Sequence, residues 1–453
     1  MRIITIKNLI YLAIAFILVI AGCSKANTET LPKGVLTKDE NILVKTLIYT
    51  EWLSASTIMP MTYNDLRNSL ISNIESKCNN SHSSLQEMRD YDLAWGAIMY
   101  KFLLDAGVKT AQQLSSMTLE DYRNSVISLN AAKTGSPVSQ FQAKNNARNL
   151  HEAYRWWFSE NSTIKSKIDK LNNVTSGNPQ FNLKDNKNYG MDVLRVVKAD
   201  EAYTYLGVYH STSGTDHFKL YLAGSNDLKK WTNIVELGDR AHQGDIKKWG
   251  SGYVIANEQD VVQGSNNIQV RYYATYANLI VNHSDFNKSI NRSFSSFAEG
   301  TPDIQKMEGN DPANSHLLIG FHYYDNGIRD QVAFGILHNF TDWRAWKDEV
   351  SNFNIQEMGY KGNIGGRSGF SHSGKFVLQE AQITSGDWSS WRLLFGNGAF
   401  YYTLHTETPL GSISFANPGI AMIEPDKFAI TSFMPSQGNN GGEKGELFYT
   451  VQF

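Results

Sequence analysis

Three aspartates of this chain occur in similar short sequences, each of which opens an apolar segment. They are Asp192 in GMDV, Asp245 in GDI and Asp303 in PDI, and a glutamate, Glu299, comes shortly before the third. If the fold brings these carboxyl groups into one polar cleft, one of them can take a proton from water while another gives a proton to a leaving oxygen. The hydrolysis of a glycosidic bond requires such a pair.

The same pattern returns twice more with glycine in place of the acid, at Gly369 in SGF and Gly419 in PGI. Five returns at roughly 50 to 65 residues match the period of propeller blades, each a small sheet in a ring. From residue 189 to residue 453 apolar positions alternate with period two between short turns, as in strands. Because the first strand of every blade lines the central channel, residues of different blades converge there. The sequence therefore predicts a mostly β chain with a five-bladed β-propeller over residues 189–453.

The start of this region resembles the five-bladed glycoside hydrolases of family 43. It has an aspartate that opens the first strand (YGMDVLRV, residues 189–196), a Tyr-rich second strand (AYTYL, residues 202–206) and a Ser-x-Asp-Leu-x-x-Trp turn (residues 225–231). Residues 243–246 (QGDI) are similar to the opening of that family's second blade. Residues 298–304 (AEGTPDI) are similar to the Glu-Gly-Pro opening of its third blade, with one residue more.

The resemblance implies an inverting glycoside hydrolase that acts on arabinose- or xylose-containing polysaccharide. It implies that Asp192 is the general base, that Glu299 is the acid, and that Asp245 orients the acid and raises its pKa by like charge. The carboxyl groups of an inverting pair stand roughly 6.5–9.5 Å apart, which leaves room for water. The residues themselves leave two alternatives open, namely a glycan-binding propeller without turnover and a platform for protein partners.

Four further residues are candidates for contacts with a carbohydrate. Asp303 opens the third blade, His242 lies shortly before the acid of the second blade, and Arg367 lies in a glycine-rich strand start. Trp249 offers a flat ring on which a sugar can stack. No His-Glu-x-x-His motif is present, so we expect no metal in the chemistry and no cofactor. The clustered acids leave a structural calcium ion in the channel open as an expectation.

A helical pattern with an internal repeat comes before the propeller, between residues 39 and 162. Residues 61–72 (MTYNDLRNSLIS) return as residues 117–128 (MTLEDYRNSVIS), so that the repeat is about 56 residues long. Thr62 and Thr118 each come three residues before an aspartate, which predicts two helix-capping boxes. We expect a small all-α repeat domain with a spacing or docking role.

Each repeat carries an arginine at the same position, Arg67 in the first and Arg123 in the second. Their recurrence in phase favours a structural role, in which each arginine braces its own unit. Residues 163–188 follow as a polar connector rich in Asn and Lys. We expect a strand near Phe181 to help close the ring of blades.

The first 23 residues have the pattern of an export signal. Two basic residues precede an apolar run that ends in IAGCS, residues 20–24. A cysteine after small residues resembles the lipobox of bacterial lipoproteins, in which Cys23 is lipidated and becomes the mature N-terminus. Residues 24–38 are polar and serve as a tether in this interpretation. We expect an extracytoplasmic protein of the bacterial cell envelope, lipid-anchored at the outer membrane or cell surface.

The composition limits the partners of the chain. The formal net charge is −2 over 453 residues, which offers no basic surface for nucleic acid. Only Cys78 remains beside Cys23, so the sequence excludes an intrachain disulfide in the lipidated form and a Cys-rich zinc site. The expected partners are therefore a carbohydrate, as substrate or ligand, and a membrane, through the lipid.

Overall fold

The computed structural model describes residues 39–262, 265–325 and 327–453, as a group of helices followed by a ring of sheets. The export signal, Cys23 and the tether lie outside the described residues. Within the described residues, no helix is long and apolar enough to cross a membrane.

Ten α-helices precede the ring, and two more lie between its strands. They are α1 (Glu40–Tyr49), α2 (Ala55–Ile58), α3 (Tyr63–Glu75), α4 (His82–Gln86), α5 (Asp90–Asp105), α6 (Ala111–Ser115), α7 (Leu119–Thr134), α8 (Val138–Gln142), α9 (Asn146–Glu160), α10 (Ser162–Asn172), α11 (Tyr276–Ile280) and α12 (Glu349–Glu357). Three single 3-10 turns occur at Thr175–Gly177, Pro312–Asn314 and Trp388–Ser390.

Nineteen strands form five antiparallel sheets, the blades, in which strands that follow one another in the chain are neighbours. Blade one has β1 (Asp192–Lys198), β2 (Tyr205–Ser211), β3 (Lys219–Ser225) and β4 (Thr232–Asp239). Blade two has β5 (Ala241–Trp249), β6 (Gly252–Val262), β7 (Ser265–Tyr273) and β8 (Phe286–Ile290). Blade three has β9 (Glu299–Glu308), β10 (His316–Asp325), β11 (Arg329–His338) and β12 (Asp342–Lys347). Blade four has β13 (Ile364–Ser371), β14 (Lys375–Gln382), β15 (Trp391–Gly396) and β16 (Tyr401–Thr403), and blade five has β17 (Ala416–Glu424), β18 (Lys427–Met434) and β19 (Gly445–Gln452).

The first strands of the blades, which we call the inner strands, contact one another in succession around the ring. The mostly β, five-bladed propeller that the sequence predicts is thereby confirmed, together with helices ahead of it. Apolar side chains are buried on both faces of the blades, between neighbouring sheets. The inner strands are therefore the elements that can carry polar groups to the axis.

The segment before β1 closes the ring. Gln180 exchanges two backbone hydrogen bonds with Phe448 of β19, at 2.8 and 2.9 Å, and the amide of Leu183 donates to the carbonyl of Glu446. The connector thus adds an outer strand to the three-stranded fifth blade, at the place expected near Phe181. As a result, both ends of the propeller sequence lie in one sheet.

All five inner strands contain one extra residue at the same place, a β-bulge. At each bulge, three successive steps along the inner strand face only two steps along the second strand. The bulges lie between Asp192 and Arg195, His242 and Asp245, Gly300 and Asp303, Ile364 and Arg367, and Ala416 and Gly419. The bulged residue has a positive φ in four blades, at Val193 (56°), Gln243 (50°), Thr301 (46°) and Asn417 (49°).

This common bulge corrects the equivalence of the three aspartates that the sequence pattern indicates. Asp192 comes directly before its bulge, as His242 does in the second blade. Asp245 and Asp303 come after the bulge, where the first blade has Arg195. Asp192 therefore lies one layer nearer the start of its strand than the other two, and the three do not form one ring.

The two similar segments of the helical part make the same local contacts. Thr62 and Thr118 each form a capping box with the aspartate three residues later. Arg67 donates to the carbonyl of Gln86, and Arg123 donates to the carbonyl of Gln142, both at 3.0 Å. Each arginine thus braces its own unit. Arg67 additionally forms a buried ion pair with Asp90 of α5 at 2.9 Å.

The helices share one hydrophobic core with blades three to five of the propeller. The ring of Tyr154 stacks on Phe400 with centroids 3.9 Å apart, and Trp95 meets the same ring edge-on at 6.3 Å. The helices also contact the far ends of inner strands. At the end of β9, Glu308 accepts the amides of Ala55 and Ser56. The helices therefore pack at the end of the channel opposite to the one where the inner strands begin.

Candidate active site

The end of the channel where the inner strands begin, which we call the mouth, is lined by polar side chains from the first three blades. Each residue before a bulge pairs with a residue of the second strand. The pairs of the first three blades are Asp192 with His210, His242 with Glu258, and Gly300 with His322. Two carboxyl groups and three imidazoles are thus held near the axis by strand pairing.

Asp192 has the most available carboxyl group of this layer. Its side chain is half-buried, and among the described residues it has no hydrogen-bond partner and no ion-pair partner. Burial raises the pKa of Asp192 from its ordinary value to about 6. At neutral pH the group is therefore ionised, free to accept a proton, and close enough to its pKa to exchange one readily.

His242 and His210 form a contrasting pair beside Asp192. His242 contacts Glu258 through Nδ1 at 3.3 Å and Asp260 through Nε2 at 3.1 Å. Burial lowers the pKa of His242, but the two carboxylates outweigh burial and leave that pKa raised. The pKa of His210 is well below its ordinary value because the ring is buried and His242 is close. The amide of Gln243 donates to Nδ1 of His210 at 3.1 Å, so the neutral ring carries its proton on Nε2.

A second available carboxyl group at the mouth belongs to Asp330, at the start of β11. Its side chain is half-buried and has no hydrogen-bond partner among the described residues. Burial raises the pKa of Asp330, the nearby His322 lowers it, and the charge of Glu258 raises it further, with a net increase. No sequence motif marks this residue, because a lone aspartate on a third strand belongs to none.

Three buried glutamates hold the bulges of the inner strands. Each accepts at least one backbone amide of the next blade, and we call them the clamp glutamates. Glu258 accepts the amide and hydroxyl of Thr301, Glu380 accepts the amide of Asn417 and that of Gly366 in its own blade, and Glu446 accepts the amides of Val193 and Leu194. They join blade two to three, four to five, and five to one. In the sequence, Glu258 and Glu380 already stand out as acids on apolar second strands that demand a partner, whereas Glu446 on a third strand gives no such signal.

The residues that follow the bulges form a layer of charged side chains of both signs, and this layer closes the channel. Asp245 accepts the amide of Ile304 at 2.8 Å and pairs with Lys247 at 3.4 Å. Arg195 reaches across the channel to the carbonyl of Arg367 at 3.3 Å. Burial raises the pKa of Asp303, with Lys247 acting in the opposite direction. This layer is the floor of the mouth.

The floor does not suit a calcium ion. Its two carboxylates, Asp245 and Asp303, lie among three cations, Lys247, Arg195 and Arg367. Calcium prefers six to eight oxygen ligands with several carboxylates among them. Within the described residues, no group of three or more His, Cys, Asp or Glu side chains could hold a metal ion.

The structure separates the residues that the sequence places in one site. Asp192 and His242 lie at the mouth, whereas Asp245, Asp303 and Arg367 lie in the floor and are 2%, 1% and 3% exposed. At these exposures none of the three can touch a sugar. Arg367 instead pairs with the buried Asp348 at 3.3 Å.

Glu299 lies outside the mouth layer and is 1% exposed. Its Oε1 accepts the amides of residues 293–295, so that the carboxylate holds the loop before β9. Burial raises the pKa of Glu299, and these amides act in the opposite direction. Its Oε2 accepts no hydrogen bond among the described residues, but at 1% exposure Glu299 has almost no surface for contact with a glycosidic oxygen.

Trp249 lies at the other end of β5 from His242, seven positions along the strand. A strand of that length places it roughly 20 Å from the mouth. Its ring packs edge-on against Tyr272, and its Nε1 donates to the carbonyl of Gly309 at 3.2 Å. Trp249 is therefore a packing residue of the far end of the channel.

Three other aromatic rings are exposed on loops at the mouth. Phe218, before β3, is 38% exposed and lies 4.5 Å from the ring of His210. Phe297 is 48% exposed beside Tyr324, and Trp388 is 52% exposed beside Trp391. Exposed rings around a polar cup are suited to stacking on the faces of sugar rings.

Several solved structures are similar to this chain. The endo-arabinanase of family 43 from Bacillus licheniformis has 10% sequence identity and a TM-score of 0.39, over 60% of this chain and 96% of that one. An exo-1,5-alpha-L-arabinanase from a bovine ruminal metagenomic library has 7% identity and a TM-score of 0.42, over 59% and 95%. An N-acetylgalactosamine deacetylase from F. plautii, in complex with blood group B trisaccharide, has 10% identity and a TM-score of 0.39, over 60% and 92%.

No family model matches the chain, and no curated protein matches it. The structural similarities cover 59–60% of the chain at sequence identities of 10% or less, and they concern the fold alone.

Proposed function

We propose that this chain is an inverting glycoside hydrolase that cleaves arabinose- or xylose-containing polysaccharide at the mouth of its propeller. The observation that carries the proposal is the free, half-buried carboxyl group of Asp192, whose pKa is raised to about 6. The sugar class rests on the sequence resemblance of residues 189–231 and 243–246 to family 43.

Asp192 is the general base in this proposal. Its carboxylate takes a proton from a water molecule as that water attacks the anomeric carbon. The absence of a hydrogen-bond partner among the described residues leaves its oxygens free to bind this water. His242 has both ring nitrogens in contact with carboxylates, Glu258 and Asp260, so its N–H groups are not free to donate to a sugar.

Asp330 is the acid in this proposal, in the role that the sequence resemblance gives to Glu299. An acid must hold a proton and reach the leaving oxygen. Asp330 is half-buried, has a raised pKa and has no side-chain partner among the described residues, whereas Glu299 is 1% exposed and bonded to three amides. The two candidates lie on the same blade, so either places the acid across the mouth from blade one.

A glycan-binding propeller without turnover is the second candidate. One observation favours it. Of the four acids that the sequence pattern places near the axis, three are bonded or enclosed within the propeller. Asp245 holds an amide of blade three, Glu299 holds a loop, and Asp303 is enclosed in the floor. In this case the exposed rings at the mouth bind the glycan and Asp192 only accepts a hydrogen bond from it.

The test is an assay of the purified chain against nitrophenyl furanosides and pyranosides and against arabinan and arabinoxylan. Proton NMR of the first product gives the anomeric configuration. Release of sugar with inverted configuration supports the proposal, and a retained configuration contradicts it. Binding to the polysaccharides without any release supports the second candidate.

We also propose that Cys23 carries a lipid that anchors the chain to the cell envelope. Support comes from the sequence of residues 1–24, which lie outside the described residues. The one other cysteine, Cys78, is buried and free, so it does not compete for modification. Metabolic labelling with a fatty-acid analogue, compared between the natural chain and Cys23→Ser, tests this proposal.

A further inference from the structure

We propose that Glu446, a clamp glutamate of blade five, positions Asp192 at the mouth. The inference deepens the proposed function, since it concerns the group that we assign as the general base. Glu446 is fully buried at the start of β19 and touches no solvent. Its two oxygens accept the amides of Val193 at 2.8 Å and Leu194 at 3.2 Å, the two residues that follow Asp192.

The bulge that Glu446 holds is strained. Val193 has a φ of 56°, in the left-handed region that a β-branched residue rarely adopts. Such a residue persists only when its surroundings enforce it. The two hydrogen bonds to Glu446 hold both amides of this stretch and thereby keep the bulge formed.

The direction of Asp192 depends on this bulge. Successive side chains of a strand point to opposite faces, so the loss of one extra residue from the pairing turns every preceding side chain to the other face. If the bulge relaxed into a regular strand, Asp192 would leave the mouth. Glu446 thus acts on Asp192 through the backbone, without touching a substrate.

The same arrangement recurs at two other bulges. Glu258 holds the bulge at Thr301, and Glu380 holds the bulge at Asn417, both residues with a positive φ. The recurrence indicates that a buried carboxylate is the general means by which this ring keeps its bulges. In blade one, the residue before the clamped bulge is a free carboxylate.

The charges around Glu446 also link it to Asp192. Burial raises the pKa of Glu446 well above its ordinary value, and the nearby Asp192 raises it further. The two amides and Arg195 act in the opposite direction. His210, which pairs with Asp192 across the strands, is neutral because of its low pKa. Two carboxyl groups thus share one buried region with one arginine.

The test measures which way the side chain at position 192 points. In the full chain with Cys23→Ser, the variant Asp192→Cys places a thiol at the mouth, and the other thiol, Cys78, is 7% exposed. We compare the rate of labelling by a thiol reagent in this background with and without Glu446→Gln. The amide side chain cannot accept both backbone amides, because its nitrogen is a donor. We expect labelling to slow at least tenfold.

Two matched variants separate positioning from general damage. Glu380→Gln removes the same kind of clamp between blades four and five, and we expect it to lower the melting temperature without slowing the labelling. Val193→Gly added to Glu446→Gln supplies a residue that adopts a positive φ without strain, and we expect it to restore the labelling. Equal labelling with Glu446→Gln and Glu380→Gln overturns the proposal, as does a failure of Val193→Gly to restore it.

The labelling needs no enzymatic activity, so its outcome is independent of the proposed hydrolysis. If the chain hydrolyses a glycoside, Glu446→Gln with Asp192 in place lowers kcat at least tenfold and leaves KM nearly unchanged. Glu380→Gln at a temperature where it is folded leaves both constants unchanged. A loss in KM alone contradicts positioning of the base.

Discussion

Asp192 and His242 occupy equivalent positions in neighbouring blades, each directly before the bulge of its inner strand. Asp192 pairs with His210, and His242 pairs with Glu258. The ring therefore sets a free carboxylate of blade one beside an imidazole of blade two whose pKa is raised by carboxylates. The proposed general base and a fully paired imidazole are thus held in one layer by strand pairing, without a contribution from long loops.

Asp192→Asn is expected to abolish hydrolysis and to spare the fold. The variant loses the proton acceptor, and general bases contribute about 10²- to 10⁴-fold to rates. Its carboxylate has no partner among the described residues, so no bond is lost, and a buried charge is removed. We expect an unchanged or slightly higher melting temperature at pH 7.5, measured beside kcat on a nitrophenyl substrate.

Asp245→Asn is the control for Asp192→Asn. Asp245 is buried, accepts an amide and pairs with Lys247, so its loss is expected to lower the melting temperature clearly. An Asp192→Asn variant with full activity would remove Asp192 from the mechanism and leave only the glycan-binding interpretation.

The identity of the acid can be decided by the leaving group. If Asp330 is the acid, Asp330→Asn loses activity on natural oligosaccharides by at least a hundredfold and keeps most of it on aryl glycosides, whose leaving oxygens need little protonation. Glu299→Gln loses stability instead, because its carboxylate holds residues 293–295. The measurement is kcat/KM for both substrate types. The opposite result assigns the acid to Glu299, as the sequence resemblance implies.

Activity and stability are expected to change in opposite directions between pH 4 and pH 7. The base must be ionised, so kcat/KM falls as the pH drops below about 6, the raised pKa of Asp192. Burial raises the pKa of Glu380 to about 7 from 4.5. A folded-state pKa above the unfolded value means that stability is fully present below pH 4.5 and is lost as the pH rises through 7.

The corresponding measurement is the free energy of unfolding in urea at several pH values. Glu380→Gln should flatten its decline between pH 4.5 and 7, because the amide does not titrate. A steeper decline of the free energy of unfolding in Glu380→Gln would show that Glu380 is ionised at a lower pH than its burial implies. Asp192→Asn, which lacks the base, should leave most of the stability profile in place.

The architecture could be predicted from the sequence because it repeats. The five strand openings and the two helical repeats each recur, and a recurring pattern fixes element type and number well. The side-chain layers could not be predicted, because the bulge is occupied by Val193, Gln243, Thr301 and Asn417 in place of glycine. With no glycine to mark it, the extra residue is invisible, and Asp192 aligns wrongly with Asp245.

The errors at individual residues have different physical causes. Glu299 opens its strand as the sequence suggests, but the preceding loop folds back onto its carboxylate, which is a contact that no local pattern reveals. Asp330 reaches the mouth through the meander of blade three, from a strand that carries no motif. For Trp249 a signal existed, since its distance of seven positions from His242 already places the two residues at opposite ends of one strand.

Lys45→Met is expected to cost about 3–5 kcal/mol of the free energy of unfolding, because it breaks a buried ion pair that joins the helices to the propeller. Lys45 of α1 donates to Asp348 and to the carbonyl of Gly398, both at 2.6 Å, and Asp348 is fully buried. Burial lowers the pKa of Lys45, and Asp348 raises it. Without the lysine, the charge of Asp348 is balanced by Arg367 alone at 3.3 Å.

Lys375→Ala is the matched control on the same interface. Lys375 pairs with Glu51 of the helical domain, but both side chains are more than half exposed, so its loss should cost less than about 1 kcal/mol. The double variant Lys45→Met/Asp348→Asn should recover part of the loss, because it removes the buried carboxylate, while Arg367 in turn loses its ion-pair partner. Urea unfolding followed by tryptophan fluorescence gives all three values. Equal costs for Lys45→Met and Lys375→Ala would show that the helices are held by apolar packing alone, and two separate transitions would show that they fold apart from the ring.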